Sequence, residues 1–476
     1  MSAAPCRRVH FVAIGGAGMG SLAGLLKARG LEVSGSDEKL YPPMSTQLAR
    51  WGIAVREGFR AENLREAAPD LVVIGNVVRP DNPEARAAID GGLRYLSFSD
   101  ALYELAIQGR HSLVVAGTHG KTTTSALLAT LLLECGRDPS CLVGGIAANL
   151  DGSFRDGAGP DFVVEGDEYD TAFFDKTPKF LHYHAQTAIV TSVEFDHADI
   201  YRDLEHVASA FRKLVAGMPA DGVLVAALDD PSVRAVVRDA PCRVVGYALA
   251  PGSGATWEAR ELEAGPEGTR FAVLREGAPL GRALLPQWGR HNVANALAAL
   301  AAAVERGVAP EAALRALAAF RGVRRRLEVR GEARGVTVLD DFAHHPTAVR
   351  ETIAAVRARY PGRRLVAVFE PRSNTSRRAV FQKDYAEALA GADCIVVSRV
   401  PDTPIYSATG PVTQRLSADE LAGDLRARGL PAAALDGVEA IVAHLAGECC
   451  PGDVVLAMSN GDFGGIWERL LERLAT

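Results

Sequence analysis

The segment from Gly117 to Thr123 has the residue types of a phosphate-binding loop. It reads Gly-Thr-His-Gly-Lys-Thr-Thr and lies between an apolar run at 112–116 and a second apolar segment that is typical of a helix. A strand, a glycine turn and a helix start, in this order, direct backbone N–H groups and the positive end of the helix dipole at a phosphate. Lys121 can then neutralise the distal phosphates and Thr122 can ligate Mg²⁺. We therefore predict that the loop binds a nucleoside triphosphate.

This loop is a shorter relative of the usual pattern, because Val115 stands where that pattern has a further glycine. The alternative is a glycine turn with an incidental Lys-Thr pair, which the order of strand, turn and helix disfavours. The predicted cofactor-binding residues of the loop are Gly117, Thr118, His119, Gly120, Lys121, Thr122 and Thr123.

Two groups of carboxylates follow apolar runs farther along the chain. Residues 165–170 read Glu-Gly-Asp-Glu-Tyr-Asp, and residues 194–199 read Glu-Phe-Asp-His-Ala-Asp. Oxygen ligands with one imidazole suit Mg²⁺ beside a triphosphate, whereas a zinc site is disfavoured because no cysteine or second well-spaced histidine accompanies them. Each group alone is equally typical of an exposed acidic turn. Because both follow predicted strands of one sheet, we expect them to lie near the phosphate loop.

A glycine-rich turn also follows the first apolar run of the chain. Residues 15–20 read Gly-Gly-Ala-Gly-Met-Gly, and a second short strand ends at Ser36-Asp37. The pattern is close to a dinucleotide fingerprint, but Ser21 occupies the third glycine position. Any ligand with a pyrophosphate can use such a helix start, so a nicotinamide cofactor is only one alternative. A further strand runs into Asn76, at a position where open α/β sheets bind ligands.

The remaining strands and helices indicate the fold class. Apolar runs at 336–339, 365–369, 394–397 and 454–458 alternate with helical segments and end in polar loops. We predict an α/β protein of three domains: a Rossmann-like N-terminal domain, a P-loop-type central ATPase with a parallel sheet, and a Rossmann-like C-terminal domain. The predicted bounds are 1–109, 110–326 and 327–476, with peripheral hairpins at 249–285. His291 and Asn292, at a helix start, either cap that helix or contact a nucleotide base.

Composition excludes several classes of protein. The chain has 476 residues and a formal net charge of −6, with 23% charged residues, which disfavours a general nucleic-acid binder. No apolar run approaches the roughly 20 residues that span a bilayer, and the first residues are too polar for a signal peptide. The seven cysteines form no Cys-x-x-Cys pair, so we expect reduced thiols. The expected location is cytoplasmic, without membrane insertion.

Six motifs, taken together, identify a family. The sequence resembles the Mur ligases of bacterial cell-wall synthesis, over essentially its whole length and in the family's order. The motifs are Gly15-Gly16-Ala17-Gly18-Met19, Gly117–Thr122, Glu165-Gly166-Asp167-Glu168, Asp196-His197, Gly289–Asn295 and Asp341-Phe342-Ala343-His344-His345-Pro346.

The resemblance implies an ATP-dependent, ADP-forming ligase that uses Mg²⁺ and makes an amide bond through an acyl phosphate. The catalytic residues it implies are Lys121, Glu165, His197 and His344, with Thr122, Glu165 and His197 as metal ligands. The implied nucleotide contacts beyond the phosphate loop are His291, Asn292, Asn295, Arg326 and Asp341. The implied contacts to UDP-N-acetylmuramate are Gly15, Gly16, Ala17, Gly18, Met19, Ser36, Asp37 and Asn76.

Two segments resemble one branch of the family in particular. Residues 165–176 and 369–378 are similar to the branch that attaches the murein tripeptide L-alanyl-γ-D-glutamyl-meso-diaminopimelate during peptidoglycan recycling. The branch that attaches L-alanine usually has Glu-Ala-Asp-Glu-Ser-Asp and Pro-His-Arg-Tyr there, and L-alanine is the alternative amine. The implied peptide-binding residues are Arg372, Ser373, Asn374, Thr375 and Arg377.

Guanidinium groups after a strand can hold carboxylates bidentately, although some of these arginines could instead serve the ATP phosphates or be exposed. Residues 461–465 offer a second position for a carboxylate at a helix start. Several Mur ligases carry a carbamylated lysine beyond the position of His197; here that region reads Phe-Arg-Lys at 211–213, and we predict no such modification. The expected oligomeric state is a monomer or a weak homodimer.

Overall fold

The computed structural model describes residues 6–41, 44–399, 403–405, 407, 410 and 412–476. These residues form two compact units. The first unit comprises Met1–Val193, Ala208–Trp257 and Ala296–Arg321, and the second comprises Glu194–Val207, Glu258–Asn295 and Gly322–Thr476.

The first unit begins with a parallel sheet of five strands in the order β3-β2-β1-β4-β5. The strands are β1 Arg8–Val12, β2 Glu32–Asp37, β3 Ala54–Glu57, β4 Leu71–Ile74 and β5 Tyr95–Ser97. The helices are α1 Ala17–Ala28, α2 Met44–Arg50, α3 Ala61–Ala67, α4 Pro83–Asp90 and α5 Phe98–Leu102, and a π-helical turn follows at Tyr103–Ile107. The chain builds the sheet outward from β1 to β3 on one side and then continues with β4 on the other side of β1. The loop after β1 therefore lies at the switch point of the strand order, where ligands bind in such sheets.

The first unit also contains a larger sheet, in which seven strands follow the order β14-β13-β12-β6-β9-β7-β8. They are β6 His111–Ala116, β7 Ser140–Ala147, β8 Gly152–Arg155, β9 Asp161–Gly166, β12 Thr187–Val190, β13 Val223–Ala227 and β14 Arg243–Ala248. Strands β6, β9, β12 and β13 pair in parallel and are almost entirely buried, as expected for a sheet covered on both faces. A short hairpin, β10 Asp170–Ala172 and β11 Asp175–Pro178, follows β9.

The helices of the central part of the chain are α6 Lys121–Glu134, α7 Leu204–Ala216, α8 Pro231–Val237, α9 Arg290–Glu305 and α10 Pro310–Ala316. The peripheral strands are β15 Trp257–Gly265, β16 Gly268–Arg275 and β17 Ala278–Leu285. Strands β16 and β17 form an antiparallel hairpin, as the alternating pattern and glycine turns of this region indicated.

The second unit contains a sheet of six strands in the order β18-β19-β23-β20-β21-β22. They are β18 Glu328–Ala333, β19 Val336–Asp341, β20 Leu365–Phe369, β21 Cys394–Ser398, β22 Ala432–Leu435 and β23 Val454–Met458. Only β18 runs antiparallel to its neighbour. The helices α11 Pro346–Arg359, α12 Gln382–Leu389, α13 Ala418–Ala427, α14 Gly437–Glu448 and α15 Ile466–Ala475 complete it. Alternate residues of the strands contribute to two apolar clusters, as period-2 side-chain directions require.

The α/β class with parallel sheets is confirmed. Some element bounds differ from the prediction. Helix α1 begins at Ala17 rather than near residue 21, because the glycine turn is short and Gly16 already precedes the first helical residue. Helix α9 begins at Arg290, so His291 and Asn292 lie inside its first turn rather than before it. The predicted domain bounds remain predictions.

Among the described residues, no helix combines the length and apolar character needed to cross a membrane.

Candidate active site

The phosphate loop joins β6 to α6 through two glycines with positive φ. Gly117 has φ +136°, and Gly120, which precedes the helix, has φ +79°. A Cβ atom on Gly117 would lie 2.0 Å from Oγ1 of Thr191 and 3.0 Å from backbone nitrogens of the next strand end. Only glycine fits there, for steric as well as conformational reasons. The loop therefore brings its backbone N–H groups to the start of α6.

Lys121 is the first residue of α6, and its side chain folds back onto the phosphate loop. Its Nζ donates to the carbonyl oxygen of Gly117 at 2.7 Å and to Oε2 of Glu168 at 2.7 Å, and the side chain is 10% exposed. Burial alone would lower the pKa of Lys121, but Glu168, Asp167 and Glu165 outweigh it and raise that pKa above its usual value. The ammonium group therefore stays charged at the position where phosphate charge would accumulate.

Thr122 and Glu165 bring oxygen ligands together beside this ammonium group. The Thr122 hydroxyl donates to Oε1 of Glu165 at 2.9 Å, and the N–H of Gly144 donates to Oε2 at 2.7 Å. A Cβ atom on Gly144 would lie 2.6 Å from that oxygen, so glycine is needed for this approach. Burial and the neighbouring Asp167 raise the pKa of Glu165, which a bound cation would counteract. The donor set fits a hard divalent cation such as Mg²⁺.

The glycine-rich turn after β1 is stabilised by Asp37 at the end of β2. The N–H of Gly15 donates to Oδ2 of Asp37 at 2.7 Å, and a Cβ atom on Gly15 would lie 2.8 Å from this oxygen. Ser36 is fully buried, and its hydroxyl has no hydrogen-bond partner among the described residues. Asn76 is exposed at the end of β4. The start of α1 behind this turn suits a pyrophosphate group, because the first N–H groups of a helix and its dipole attract anions.

Within the second unit, the segment after β12 contacts the double histidine at the start of α11. The Thr347 hydroxyl donates to Oε2 of Glu194 at 2.7 Å, and Nδ1 of His345 lies 3.5 Å from the same oxygen. Asp196 is buried and accepts from the N–H of His197 at 2.7 Å, and its other oxygen lies 3.9 Å from Nε2 of His344. Imidazole and carboxylate groups of two sequence motifs are thereby brought together.

The nucleotide-contact residues predicted beyond the phosphate loop include Asp341 at the end of β19 and His291 and Asn292 at the start of α9. Asp341 accepts from the N–H groups of Leu327 and Ala343, both at 2.8 Å, and from the Thr352 hydroxyl at 3.2 Å. Burial raises the pKa of this carboxyl group against the opposing effect of Arg326. These three hydrogen bonds stabilise the turn after β19, so Asp341 has a structural role. Its predicted contact with a nucleotide remains a prediction.

His291 differs from Asn292, its neighbour in the first turn of α9. Desolvation, with a smaller effect of Arg326, lowers the pKa of His291 to about 4, so the imidazole is neutral at pH 7. Its Nδ1 makes no hydrogen bond among the described residues and lies 3.9 Å from Oε2 of Glu351. Asn292 is buried and donates to the carbonyl oxygen of Trp288 at 2.8 Å. A neutral ring with an open nitrogen suits a hydrogen bond to a ligand.

The loop after β20 contains the predicted peptide-binding residues. Some of them are held by contacts within the protein, and one is exposed. Arg377 is buried and donates to Oγ1 of Thr403 at 2.6 Å and to Oδ1 of Asn374 at 3.2 Å. The Thr375 hydroxyl accepts from the N–H of Ala198 at 3.3 Å. Arg377 and Thr375 thus fix the loop to the segments after β21 and β12, and Ser373, bonded to Ser376 at 2.9 Å, stabilises the loop internally.

Arg372 is the exposed residue among them, and about half of its side chain is accessible to solvent. Among the described residues, its one contact with an acidic group is with Oδ1 of Asp462, at 3.4 Å. A Cβ atom on Gly461 would lie 1.5 Å from Nη1 of Arg372, so the absence of a side chain there makes room for the guanidinium group. Arg372 can therefore receive a carboxylate.

Comparison with known proteins places this arrangement in a family. Three family models match: "Mur ligase family, catalytic domain" over residues 8–110, "Mur ligase middle domain" over 115–303, and "Mur ligase, glutamate ligase domain" over 325–461. Together they cover most of the chain, in the order that the motifs predicted. The chain is a Mur ligase.

Individual relatives match along nearly the whole chain. The UDP-N-acetylmuramate–L-alanyl-γ-D-glutamyl-meso-2,6-diaminoheptandioate ligase of Escherichia coli K12 is 39% identical over 469 residues, which are 98% of each chain. The UDP-N-acetylmuramate–L-alanine ligase of Renibacterium salmoninarum is also 39% identical, over 98% of this chain and 96% of its own. Identity alone does not separate these two kinds of relative.

Solved structures show the same three-domain fold. A murein peptide ligase from Psychrobacter arcticus is 34% identical, covers 99% of each chain and has a TM-score of 0.73. The UDP-N-acetylmuramate-alanine ligase of Thermotoga maritima is 26% identical, covers 98% of each chain and has a TM-score of 0.79. The predicted three-domain α/β architecture is confirmed.

In this Mur ligase, the predicted metal ligands divide between the two units. Thr122 and Glu165 are in contact in the first unit, whereas His197 lies in the second, where its backbone bonds to Asp196. The roles of all predicted site residues remain predictions.

Sequence reasoning assigned no individual role to two residues that the structure brings into the site. Glu168 stands in a recognised motif, and its signal is that a buried lysine near four carboxylates needs one of them as its partner. Gly144 lies 21 residues before Glu165, on β7, and no local signal marks it as the N–H donor to that carboxylate.

Proposed function

We propose that this Mur ligase joins UDP-N-acetylmuramate to the tripeptide L-alanyl-γ-D-glutamyl-meso-diaminopimelate, with hydrolysis of ATP to ADP and phosphate. The observation that carries the proposal is the set of groups at the start of α6. The Lys121 ammonium, the Thr122 hydroxyl and the Glu165 carboxylate adjoin the N-terminus of α6, and together they are the groups that a triphosphate and a divalent cation require. The names of the full-length relatives support the choice of substrates.

The first chemical step is the activation of a poor electrophile. An oxygen of the lactyl carboxylate attacks the γ-phosphorus of ATP, the bond from that phosphorus to the β,γ-bridging oxygen breaks, and ADP leaves, which forms an acyl phosphate. Two anions must approach each other, so the site has to supply positive charge. Lys121 and the N-terminus of α6 supply it from this chain. A Mg²⁺ ion on Thr122 and Glu165 would add two further charges when bound.

The second step forms the amide. The α-amine of the peptide attacks the acyl carbon, the C–O bond to phosphate breaks through a tetrahedral intermediate, and the nitrogen loses a proton. Inorganic phosphate leaves. The sequence motifs imply catalytic roles for the imidazoles of His197 and His344, and we assign the proton transfer to neither of them.

The choice of the tripeptide rests on charge. The tripeptide has three free carboxylates and a second amine, whereas L-alanine has a single carboxylate and a methyl group. Arg372 is exposed, is held only loosely by Asp462 and has room over Gly461, so it is free to pair with a peptide carboxylate. Arg377 is already engaged by Asn374 of its own loop and by Thr403 of the segment after β21. We assign Arg372 to the tripeptide.

The second candidate function is ligation of L-alanine. It is favoured by the named L-alanine ligases, which match this chain at similar identity, and by the TM-score of the alanine ligase from Thermotoga maritima. We further propose a cytoplasmic location, where both ATP and UDP-sugars are found, and a role in reuse of released peptides.

The deciding experiment measures phosphate release from ATP with UDP-N-acetylmuramate and Mg²⁺. The amine is the tripeptide, L-alanine or none. We expect efficient turnover with the tripeptide and little with L-alanine. UDP-N-acetylglucosamine, which lacks the lactyl carboxylate, is the matched control and should release no phosphate. A higher kcat/KM for L-alanine would establish the second candidate, and release with neither amine would reject both.

A further inference from the structure

The hairpin of β10 and β11 connects the carboxylate segment to the first sheet of the same unit. It begins at Asp170, directly after the segment that contains Glu165 and Glu168. At its tip, the ring of Phe174 packs edge-on against Tyr95 of β5, with 5.3 Å between ring centroids. Phe173 packs against the apolar cluster formed by β1, β4, α3 and α4. The tip is therefore anchored on the domain that carries the glycine-rich turn.

Two aspartates and a threonine surround His182 at the base of this hairpin. Its Nδ1 lies 2.8 Å from Oδ1 of Asp100 on α5, and its Nε2 lies 2.9 Å from Oγ1 of Thr177. The Thr177 hydroxyl donates its hydrogen to Oδ1 of Asp175 at 2.6 Å, so it can only accept from the ring. Ser97 also donates to Asp100, at 2.6 Å. Both ring nitrogens then act as donors, which requires the imidazolium form.

The electrostatics agree with this hydrogen-bond pattern. Burial alone would lower the pKa of His182, but Asp100 and Asp175 raise it above its usual value. The hydrogen bond from His182 is the largest influence that lowers the pKa of Asp100. The two carboxylates face opposite nitrogens of the ring, Asp100 at Nδ1 and Asp175 at Nε2. A metal ion bound to one ring nitrogen would leave the carboxylate at the other nitrogen without it as a partner. We therefore interpret the group as an ion pair of His182 with the two aspartates and not as a metal site.

Lys179 makes a second contact between the hairpin segment and α5. Lys179 is buried, and its ammonium lies 3.4 Å from Oδ2 of Asp167, 4.2 Å from the ring centre of Tyr169 and 5.3 Å from that of Phe98. Phe98, at the start of α5, lies 3.4 Å from where a Cβ atom on Gly18 would be. Helix α5 thus lies beside the glycine-rich turn at Phe98 and contacts the hairpin segment through Asp100.

The opposite end of the same segment reaches the phosphate loop. Glu168 accepts from Lys121 at 2.7 Å. Residues 167–182, which we call the coupling segment, therefore contact the lysine of the phosphate loop at one end and the helix beside the glycine-rich turn at the other.

We propose that the coupling segment links occupancy of the sugar-nucleotide turn to the position of Lys121, and that the pair His182–Asp100 is the contact that transmits it. His182 and Asp100 are positioning residues, since neither touches the phosphate loop or the glycine-rich turn. The inference rests on the proposed function, because it takes UDP-N-acetylmuramate as the ligand of the turn. Coupling of this kind is reciprocal: the nucleotide must tighten the sugar as much as the sugar tightens the nucleotide.

The test measures the dissociation constant of UDP-N-acetylmuramate by calorimetry, with and without a non-hydrolysable ATP analogue and Mg²⁺. We expect the analogue to tighten the wild type by about 5- to 30-fold, the lower part of the range of known couplings. H182Q and D100N should reduce this factor to nearly one while they leave the affinity without analogue within about two- to threefold of the wild type. K176Q is the matched control, because Lys176 pairs with Asp170 on the exposed face of the same hairpin, and it should keep the wild-type factor.

A pH series provides a readout that loss of stability alone would not change. The ion pair is complete below the usual histidine pKa of about 6.5 and is lost as the pH rises through the raised pKa of His182. The wild-type coupling factor should fall across that interval, and the factor of H182Q should be flat. H182Q or D100N with the full coupling factor, or a wild type without coupling, would overturn the proposal. Failure of UDP-N-acetylmuramate to bind the wild type at all would instead reject the proposed function.

Discussion

The replacement of Lys121 by methionine separates the chemical role of this residue from its structural role. Methionine has a similar length but no charge, so K121M removes the ammonium group from the triphosphate and from Glu168 at once. Loss of one preorganised charge-stabilising group typically lowers kcat about 10²- to 10³-fold, or about 3–4 kcal/mol. The side chains of Lys121 and Glu168 are only 10% and 2% exposed. Removal of one member of such a buried pair typically costs about 3–5 kcal/mol of folding stability.

The double variant K121M/E168Q distinguishes the two losses. It removes the buried carboxylate that K121M leaves without its ammonium partner, so we expect it to recover most of the stability but none of the activity. Stability is measured by thermal and urea unfolding, activity by release of phosphate with UDP-N-acetylmuramate and the tripeptide, and sugar binding by calorimetry. UDP-sugar affinity should change little in either variant, because the glycine-rich turn is intact. Turnover within about tenfold of the wild type in K121M, or recovery of turnover in the double variant, would refute the reasoning.

Three further predictions concern separate residues. E165Q should raise the Mg²⁺ concentration needed for half-maximal activity by at least about 10-fold while UDP-sugar affinity stays constant, and superimposable Mg²⁺ titrations of variant and wild type would contradict this. R372A should lower kcat/KM for the tripeptide by about 10- to 100-fold, which is the value of a charge-assisted hydrogen bond. R399A removes a surface arginine paired with Asp419 and is the control that should be unaffected. An equal loss in both variants would contradict the assignment. D340N should flatten the pH dependence of stability between about pH 4 and 6. Burial raises the pKa of Asp340 to about 6, so the native state binds the proton more tightly than the unfolded chain. The unfolding free energy of the wild type should therefore fall by roughly 2–3 kcal/mol as the pH rises through this interval. Urea unfolding curves at several pH values test it, and an equal slope in variant and wild type would exclude Asp340 as the source.

Local patterns predicted those parts of the site that lie within one strand, one turn and one helix. The phosphate loop is of this kind, because β6, the two glycines and the start of α6 are contiguous in the chain. The alternation of apolar runs with helical segments likewise predicted the α/β class, since strand and helix periods are properties of short windows. The motif order indicated the family, which the comparisons confirmed.

Pairings between distant residues were decided by the tertiary structure alone. Lys121 and Glu168 are 47 residues apart, and His182 and Asp100 are 82 apart. Whether such groups meet depends on strand order, register and the direction of each side chain, and none of these is encoded in a local window. The same reason applies to Asp341, whose hydrogen bonds with the N–H groups of Leu327 and Ala343 no local pattern indicated. The residue types and their spacing thus determined which chemistry the chain can perform, whereas the packing of its sheets determined which partner holds each charge.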